Sequence, residues 1–220
     1  MELTHPYGVP FLKVTLDDFD VHQKELVEKA YFLMEKNRYL DKSNMGGFHS
    51  GDIGELDWNN FKAGEWFIRS ANNALDQAQK KLKLAGPLEL TNSWYIVNRA
   101  KSGEWNLPHN HPNSVLSGAF YVSCPDKSYN RKNERGRWVS GSTGTFIGIA
   151  ENNSVDSLIA RKNLEKQDHR GGHLIFCPPI EGELIIFPSS LLHMVSPHMG
   201  EKDRIMISFN TRIKTDDTIS

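Results

Sequence analysis

In the first 87 residues, apolar positions recur every three or four residues, which is the spacing of amphipathic helices. One helix is predicted over 17–39, where two consecutive aspartates can cap its amino end, and a second is predicted over 62–84. The glycines between 46 and 54 predict a loop between the two helices, and the Gly-Pro pair at 86–87 ends the second one. This part of the chain is therefore predicted to be helical.

After position 88 the pattern changes to short β-branched and aromatic runs, separated by Gly, Pro, Asn and Ser. Strands do not alternate with helices, as they would in a parallel sheet, so we expect antiparallel pairing. The predicted fold class is mainly β with flanking helices, in which the helices pack outside an antiparallel double sheet. Strands are predicted at 93–100, 115–123, 173–177, 183–187 and 204–210.

A polar stretch at 125–170 separates two of these strands, and we interpret it as a long insertion with a short helix near 155–164. At 220 residues the chain has the length of one domain. We therefore expect a single domain over 1–220, with helical support at 1–87 and a β core at 88–213 that carries the insertion.

The 26 basic and 27 acidic side chains nearly cancel, which argues against a polycation that wraps nucleic acid with its whole surface. No apolar run approaches the roughly 18 residues that a membrane span needs. The opening residues lack the basic-then-apolar run of a signal peptide, so we expect none. Cys124 and Cys177 lie in apolar, strand-like segments, as expected of buried thiols in a reducing compartment. The expected location is the cytoplasm.

Two of the nine histidines occupy alternate positions just before a predicted strand. Side chains two residues apart on extended backbone point to the same side, so His109 and His111 can converge on one metal ion. Such a pair is weak support for a metal site by itself. His193 adds to it, because it follows the strand at 183–187 through a short turn. The histidines in turn- or surface-like settings include His5, His22, His49 and His198.

Arg204 opens the last predicted strand. The even positions from 204 to 210 share one side of this strand, and the apolar odd positions share the other. Arg204 and Ser208 therefore point the same way, and a buried arginine there needs an anionic partner. The alternative is an arginine at the mouth of the strand that pairs with Glu201 or Asp203.

Four segments together resemble the iron- and 2-oxoglutarate-dependent oxygenases. They are HxHPNSxLSGxxYV from position 109, GGHLIF from 171, GELIIFPSSLLHMV from 182 and RIMISFN from 204. The resemblance extends over about 94–212, is interrupted by the predicted insertion, and is strongest to a subgroup from phages and bacteria. It implies a double-stranded β-helix, the cupin-like jelly roll, and is compatible with a phage-encoded chain.

The resemblance also implies roles for individual residues. In this superfamily two nearby residues and a distal histidine hold Fe(II), and those positions fall on His109, His111 and His193. An arginine that binds the distal carboxylate of 2-oxoglutarate falls on Arg204. In the prolyl-hydroxylase branch a hydroxyl residue and a tyrosine also contact this co-substrate, and Ser208 and Tyr121 match them. No catalytic residue beyond the metal ligands is implied.

One position departs from the superfamily pattern. His111 stands where the superfamily usually has Asp or Glu. Fe(II) accepts imidazole, and three ligands on one side leave three positions for a chelating 2-oxo acid and O₂. Three neutral ligands would leave the ion with a higher net charge. If His111 is not a ligand, water or another carboxylate takes its place.

The function implied is a non-haem Fe(II)- and 2-oxoglutarate-dependent dioxygenase. Such an enzyme hydroxylates a C–H bond of its substrate, here unidentified, and releases succinate and CO₂; its other partners are O₂ and 2-oxoglutarate. Two alternatives stay open. One is a cupin-like metalloenzyme with three histidines and no 2-oxoglutarate, and the other is a non-catalytic jelly-roll binding module.

The segment 126–137 carries a local excess of three positive charges, and Tyr129 and Trp138 lie in or beside it. Single-stranded nucleic acid binders use this mixture. A solvated loop is favoured because the whole chain is neutral, and a lid over the cavity is the third interpretation. Tyr95 and Asn98 are further candidates for the cavity wall, although strand alternation lets at most one of them point inward.

Overall fold

The computed structural model describes residues 1–36, 40–124, 143–150 and 174–214. The predicted helix near 155–164 and the basic segment at 126–137 lie outside these ranges. Three α-helices are present within them, α1 (Phe19–Lys36), α2 (Glu55–Trp58) and α3 (Lys62–Leu82), together with a short 3-10 helix at Pro6–Gly8. The strands are β1 (Glu2–Thr4), β2 (Phe11–Thr15), β3 (Asn44–Met45), β4 (Phe48–His49), β5 (Leu88–Asn98), β6 (Trp105–His109), β7 (Leu116–Ser123), β8 (Phe146–Ile149), β9 (Leu174–Cys177), β10 (Glu183–Pro188), β11 (Leu192–Val195) and β12 (Arg204–Ile213).

The strands form two antiparallel sheets. A seven-stranded sheet has the order β1-β2-β10-β7-β12-β5-β4, and a five-stranded sheet has the order β3-β6-β11-β8-β9. The predicted fold class, mainly β with flanking helices, is confirmed. β12 lies between β5 and β7, so the strand that begins at Arg204 runs through the middle of the larger sheet.

The two long helices cover the outer side of the seven-stranded sheet. The odd positions of β12, such as Ile207 and Phe209, are buried there with residues of α3. Small residues of α3, among them Ala71 and Ala74, are fully or almost fully buried and let the helix approach the strands closely. The even positions of β12 point to the space between the sheets, as the alternation predicted. Neither α1, α2 nor α3 is both long enough and apolar enough to cross a membrane.

The first 87 residues contribute more than helices. β1 and β2 extend the larger sheet, and β3 and β4 form inside the segment that was predicted to be a loop. These two-residue strands are too short to produce an alternating pattern, which explains why the sequence did not reveal them. α1 ends its described part at Lys36, and α3 ends at Leu82 because Lys83 adopts a left-handed conformation with φ 53°.

The predicted insertion also contains a strand. β8 lies within 125–170 and pairs with both β9 and β11, so it is an integral part of the smaller sheet. Its four residues are surrounded by polar sequence. They form no long apolar run, so the sequence did not predict this strand. Cys124 and Cys177 are buried free thiols, as predicted. Both belong to the apolar cluster between the two sheets.

Candidate active site

Strand pairing brings the three predicted histidines together. His109 ends β6 and lies opposite His193 of β11 in the smaller sheet, while His111 follows two residues after β6. One ring nitrogen from each of the three lies within 4.8 Å of the corresponding nitrogens of the other two. The histidine pair and the distant histidine, separated by more than 80 residues in sequence, therefore form one cluster.

Each of these imidazoles is held by a hydrogen bond at Nδ1. The Nδ1 of His109 is 2.6 Å from the carbonyl oxygen of Leu107, and that of His193 is 2.9 Å from the carbonyl oxygen of Leu191. The Nδ1 of His111 is 2.7 Å from the side-chain oxygen of Asn210. An oxygen acceptor requires the proton on Nδ1, so Nε2 of each ring keeps its lone pair for a metal ion.

The histidines are neutral at physiological pH because they are withdrawn from water. Burial lowers the pKa of His193 to about 3 and that of His111 to about 4, and in both rings the nearby His109 lowers it further. Burial also lowers the pKa of His109, although its bond to the Leu107 carbonyl opposes the shift. Neutral imidazole is the form that ligates metals.

Arg204 lies at the other end of the same space and is completely buried. Its Nη1 donates a hydrogen bond to Oδ1 of Asn98 over 3.2 Å, whereas its Nε and Nη2 have no partner among the described residues. The alternative ion pairs are not formed: Glu201 pairs with Lys101, and Asp203 accepts hydrogen bonds from Tyr31 and from the backbone of Ala100. Arg204 is thus a buried cation that no carboxylate in the described part of the chain neutralises.

Tyr121 lies at the same end, and Ser208 lies further along β12, four residues from Arg204. The ring of Tyr121 is 5.5 Å from the guanidinium carbon of Arg204, and its buried hydroxyl has no partner among the described residues. Burial raises the pKa of Tyr121 well above its ordinary value, so the hydroxyl keeps its proton and can donate. Ser208 is almost fully buried on the same side of β12. A buried cation with a hydroxyl donor beside it and a second hydroxyl on the same side of the strand fits a bound carboxylate.

A cavity of about 430 Å³ joins the two ends. Phe146, Phe187 and Met206 supply apolar wall between the histidines and Arg204. The polar residues Lys42, Asp52, Asn92 and Asn110 also line it. The three histidines, Arg204 and Ser208, which the sequence singled out separately, therefore line one continuous space, whereas Tyr121 is not among its lining residues.

His49 was not expected in this wall. It is buried on β4, its ring stacks on Trp94 at 5.6 Å and 7°, and Trp94 in turn stacks on His111 at 5.7 Å and 20°. Burial lowers the pKa of His49 to about 4. The prediction of a turn- or surface-like setting was wrong for His49, and also for His198, which is completely buried. Their flanking glycine and proline residues suggested turns, but tertiary packing covers both side chains.

The two candidates on β5 point to opposite sides, as strand alternation required. Asn98 bonds to Arg204, so it belongs to the cavity side. Tyr95 faces the helices and stacks on Trp58 at 5.5 Å. Asn210 was not singled out by sequence, and its bond to His111 joins residues 99 positions apart.

Comparison with known proteins finds a family and a common fold. Residues 92–210, more than half of the chain, match the family described as "Putative 2OG-Fe(II) oxygenase". No curated protein sequence matches. A Pseudomonas putida prolyl-4-hydroxylase structure is similar with a TM-score of 0.62 and 12% identity, over 96% of this chain and 95% of that one.

Two further solved structures have the same fold. A Trichoplax adhaerens prolyl hydroxylase in complex with a hypoxia-inducible factor peptide fragment gives a TM-score of 0.60 and 13% identity, over 91% of this chain and 82% of that one. The viral collagen prolyl hydroxylase of Paramecium bursaria Chlorella virus-1, in its 2OG complex, gives a TM-score of 0.55 and 11% identity, over 93% of this chain and 96% of that one. At these identities the likeness establishes the fold, a double-stranded β-helix of the prolyl-hydroxylase type.

Proposed function

The chain belongs to the family of 2OG-Fe(II) oxygenases, and on this premise we propose that it hydroxylates a C–H bond of its substrate, with O₂ and 2-oxoglutarate consumed and succinate and CO₂ released. Members of this family are oxidoreductases that use Fe(II) and 2-oxoglutarate. The observation that carries the proposal for this chain is the buried guanidinium of Arg204, whose Nε and Nη2 have no partner among the described residues, in the same cavity as a cluster of three neutral histidines.

We assign the metal to His109, His111 and His193. Their Nε2 lone pairs are available because every Nδ1 is engaged by an oxygen atom. At His109 the hydroxyl of Ser43, 3.3 Å from Nε2, is the group that a metal ion would replace. Bound Fe(II) and 2-oxoglutarate together supply the oxygen chemistry that amino-acid side chains lack.

We assign the distal carboxylate of 2-oxoglutarate to Arg204, Ser208 and Tyr121. Arg204 can offer Nε and Nη2 to the two carboxylate oxygens, and the guanidinium fork suits such a two-point contact. Asn98 holds the third nitrogen, which fixes the plane of the fork. The hydroxyl groups of Tyr121 and Ser208 can complete the binding of the anion, and the apolar wall excludes water around it.

The arrangement favours this function over the two alternatives. A three-histidine metalloenzyme without a 2-oxo acid would leave the buried charge of Arg204 without a counter-ion, at a substantial cost in stability. A non-catalytic binding module gives no reason for three neutral imidazoles with their lone pairs directed to one point. The substrate would enter on the histidine side, where Asn110 lies between His109 and His111 in sequence and Lys42 precedes Ser43, which contacts His109.

Three predictions from the sequence stay proposals. They are the cytoplasmic location, the single domain over 1–220 with 1–87 as support and 88–213 as core, and the role of the basic segment at 126–137. In support of a single domain, β1, β2, β3 and β4 all join the same two sheets as the later strands. A nucleic acid substrate is the least supported of these ideas, because the whole chain carries a net charge of only −1.

The test is an oxygen-free titration of the Fe(II)-loaded protein with 2-oxoglutarate, followed by visible absorption. We expect one equivalent of Fe(II) to bind, and a weak charge-transfer band to grow to saturation as the 2-oxo acid chelates the metal. Iron binding without the band would favour the cupin-like alternative. Absence of stoichiometric metal would favour the binding module and overturn the proposal.

A further inference from the structure

His111 differs from the other two histidines in what holds its ring. His109 and His193 each bond to the carbonyl oxygen of the residue two positions earlier, so their orientation follows from local backbone. The acceptor for His111 is a side chain on another strand, Oδ1 of Asn210 at 2.7 Å. Among the three, and within the described part of the chain, only the Nδ1 of His111 is bonded to a side chain.

Asn210 is itself held in position. The same Oδ1 accepts a second hydrogen bond of 2.7 Å from Oγ of Ser117, and Ser117 lies 2.8 Å from Oγ of Ser189. Ser117 and Ser189 are completely buried. The backbone N–H of His111 donates to the carbonyl oxygen of Ser189, so both the ring and the backbone of His111 depend on this small network.

We propose that Asn210 is a positioning residue for the metal ligand His111, and that its uncharged amide fixes the ring with the proton on Nδ1 and the lone pair of Nε2 towards the metal. This inference rests on the proposed function. Asn210 lies on β12 with Arg204 and Ser208, so the strand that would bind the co-substrate also orients the ligand that departs from the superfamily pattern.

The chemical reason lies in the tautomers of imidazole. Without an acceptor at Nδ1, His111 can place its proton on Nε2, and that form cannot ligate a metal through Nε2. Loss of such an outer partner typically weakens metal binding by about 10- to 100-fold. An aspartate at position 210 would still accept the proton, and its charge would make the ring a stronger donor to the metal.

The experiment measures Fe(II) and Co(II) dissociation constants without oxygen, together with the absorption spectrum of the Co(II) form. Asn210→Leu keeps the approximate volume but removes the acceptor, and we expect its affinity to fall by about 10- to 100-fold. Asn210→Asp should bind at least as tightly as the parent and shift the Co(II) spectrum. Ser117→Ala removes one support of Asn210 and should lower the affinity by less than Asn210→Leu does. Asn73→Leu, the same substitution at an exposed position of α3, is the matched control and should stay close to the parent.

The His111→Ala background separates positioning from a general structural role. If Asn210 acts through His111, Asn210→Leu has no further effect on metal affinity once His111 is gone. An equal loss in both backgrounds, or a parent-like affinity in Asn210→Leu, would overturn the inference while the proposed function stands. If the parent protein binds no metal, it is the proposed function that fails.

Discussion

At one end of the cavity the three histidines have every Nδ1 bonded within the chain, whereas at the other end Arg204 and Tyr121 keep donors that no described residue satisfies. The histidines are uncharged, and the guanidinium carries a full positive charge. Burying a neutral imidazole whose Nδ1–H is hydrogen-bonded costs little free energy, whereas burying a charge without a counter-ion costs a great deal. The comparison indicates that the histidine end is organised in advance and that the arginine end lacks a counter-ion among the described residues.

The largest effect is expected at the histidine end. His109→Ala and His193→Ala should each abolish stoichiometric Fe(II) binding, because the two histidines that remain compete poorly with water for the ion. Metal analysis of the desalted proteins measures this, and His5→Ala is the control because His5 is exposed. Full iron content in either cavity variant would contradict the assignment of the ligands.

Arg204→Met tests the arginine end. We expect it to weaken the binding of 2-oxoglutarate and to leave the iron content normal. Losing a buried ionic partner costs about 2–5 kcal/mol, which corresponds to roughly 30- to 4000-fold in the dissociation constant for 2-oxoglutarate. The dissociation constant of Arg204→Lys should lie between those of the parent and of Arg204→Met, since a point charge replaces the planar fork. The oxygen-free titration described above gives the constants.

Arg212→Met is a matched control for this experiment. Arg212 lies on the same strand, is mostly exposed and pairs with Glu89, so its loss should leave 2-oxoglutarate binding unchanged. If Arg204→Met binds as tightly as this control, the guanidinium is structural and the contrast between the two ends disappears.

Two variants of His111 test whether it is a metal ligand. His111→Asp restores the carboxylate that the superfamily usually has, and we expect it to retain Fe(II). His111→Ala should bind the metal more weakly, through His109 and His193, with a dissociation constant that is still measurable at high metal concentration. The same metal analysis decides the matter: unchanged iron in His111→Ala would make His111 a bystander and would require another group to fill that position.

The smallest effect is expected for Tyr121→Phe. This change removes one hydroxyl donor and keeps the ring against Arg204, so it tests a single hydrogen bond to the anion. Such a bond is worth about 0.5–1.5 kcal/mol, or roughly 2- to 12-fold in the dissociation constant for 2-oxoglutarate. An unchanged constant would mean that the carboxylate is held without Tyr121.

The parts of the fold that sequence predicted are those with long, regular patterns. α3 begins at the predicted residue, and the alternation on β12 correctly separated Arg204 and Ser208 from Ile207 and Phe209. β4 and β8 escaped because two or four residues in polar surroundings carry no periodic signal. Their position depends on pairing with strands elsewhere in the chain, which only the folded sheets reveal.

The candidate site was predictable to a similar degree and for similar reasons. The histidine pair, His193 and Arg204 have local sequence signatures, and the structure brings them to one cavity. His49 and Asn210 have none, because their roles arise from contacts across the sheets, with Trp94 and with His111. Residues whose role is to hold another side chain are the hardest to identify from sequence alone.

The two buried thiols have a consequence for a protein whose family handles O₂. Cys124 and Cys177 belong to the same inter-sheet cluster as Tyr121, and burial raises the pKa of Cys124 to about 12 and also raises that of Cys177. Oxidation to sulfenic and sulfinic acids begins from the thiolate. Because both sulfurs stay protonated at physiological pH, they resist this oxidation. The apolar packing between the sheets therefore also protects the two thiols from chemical damage.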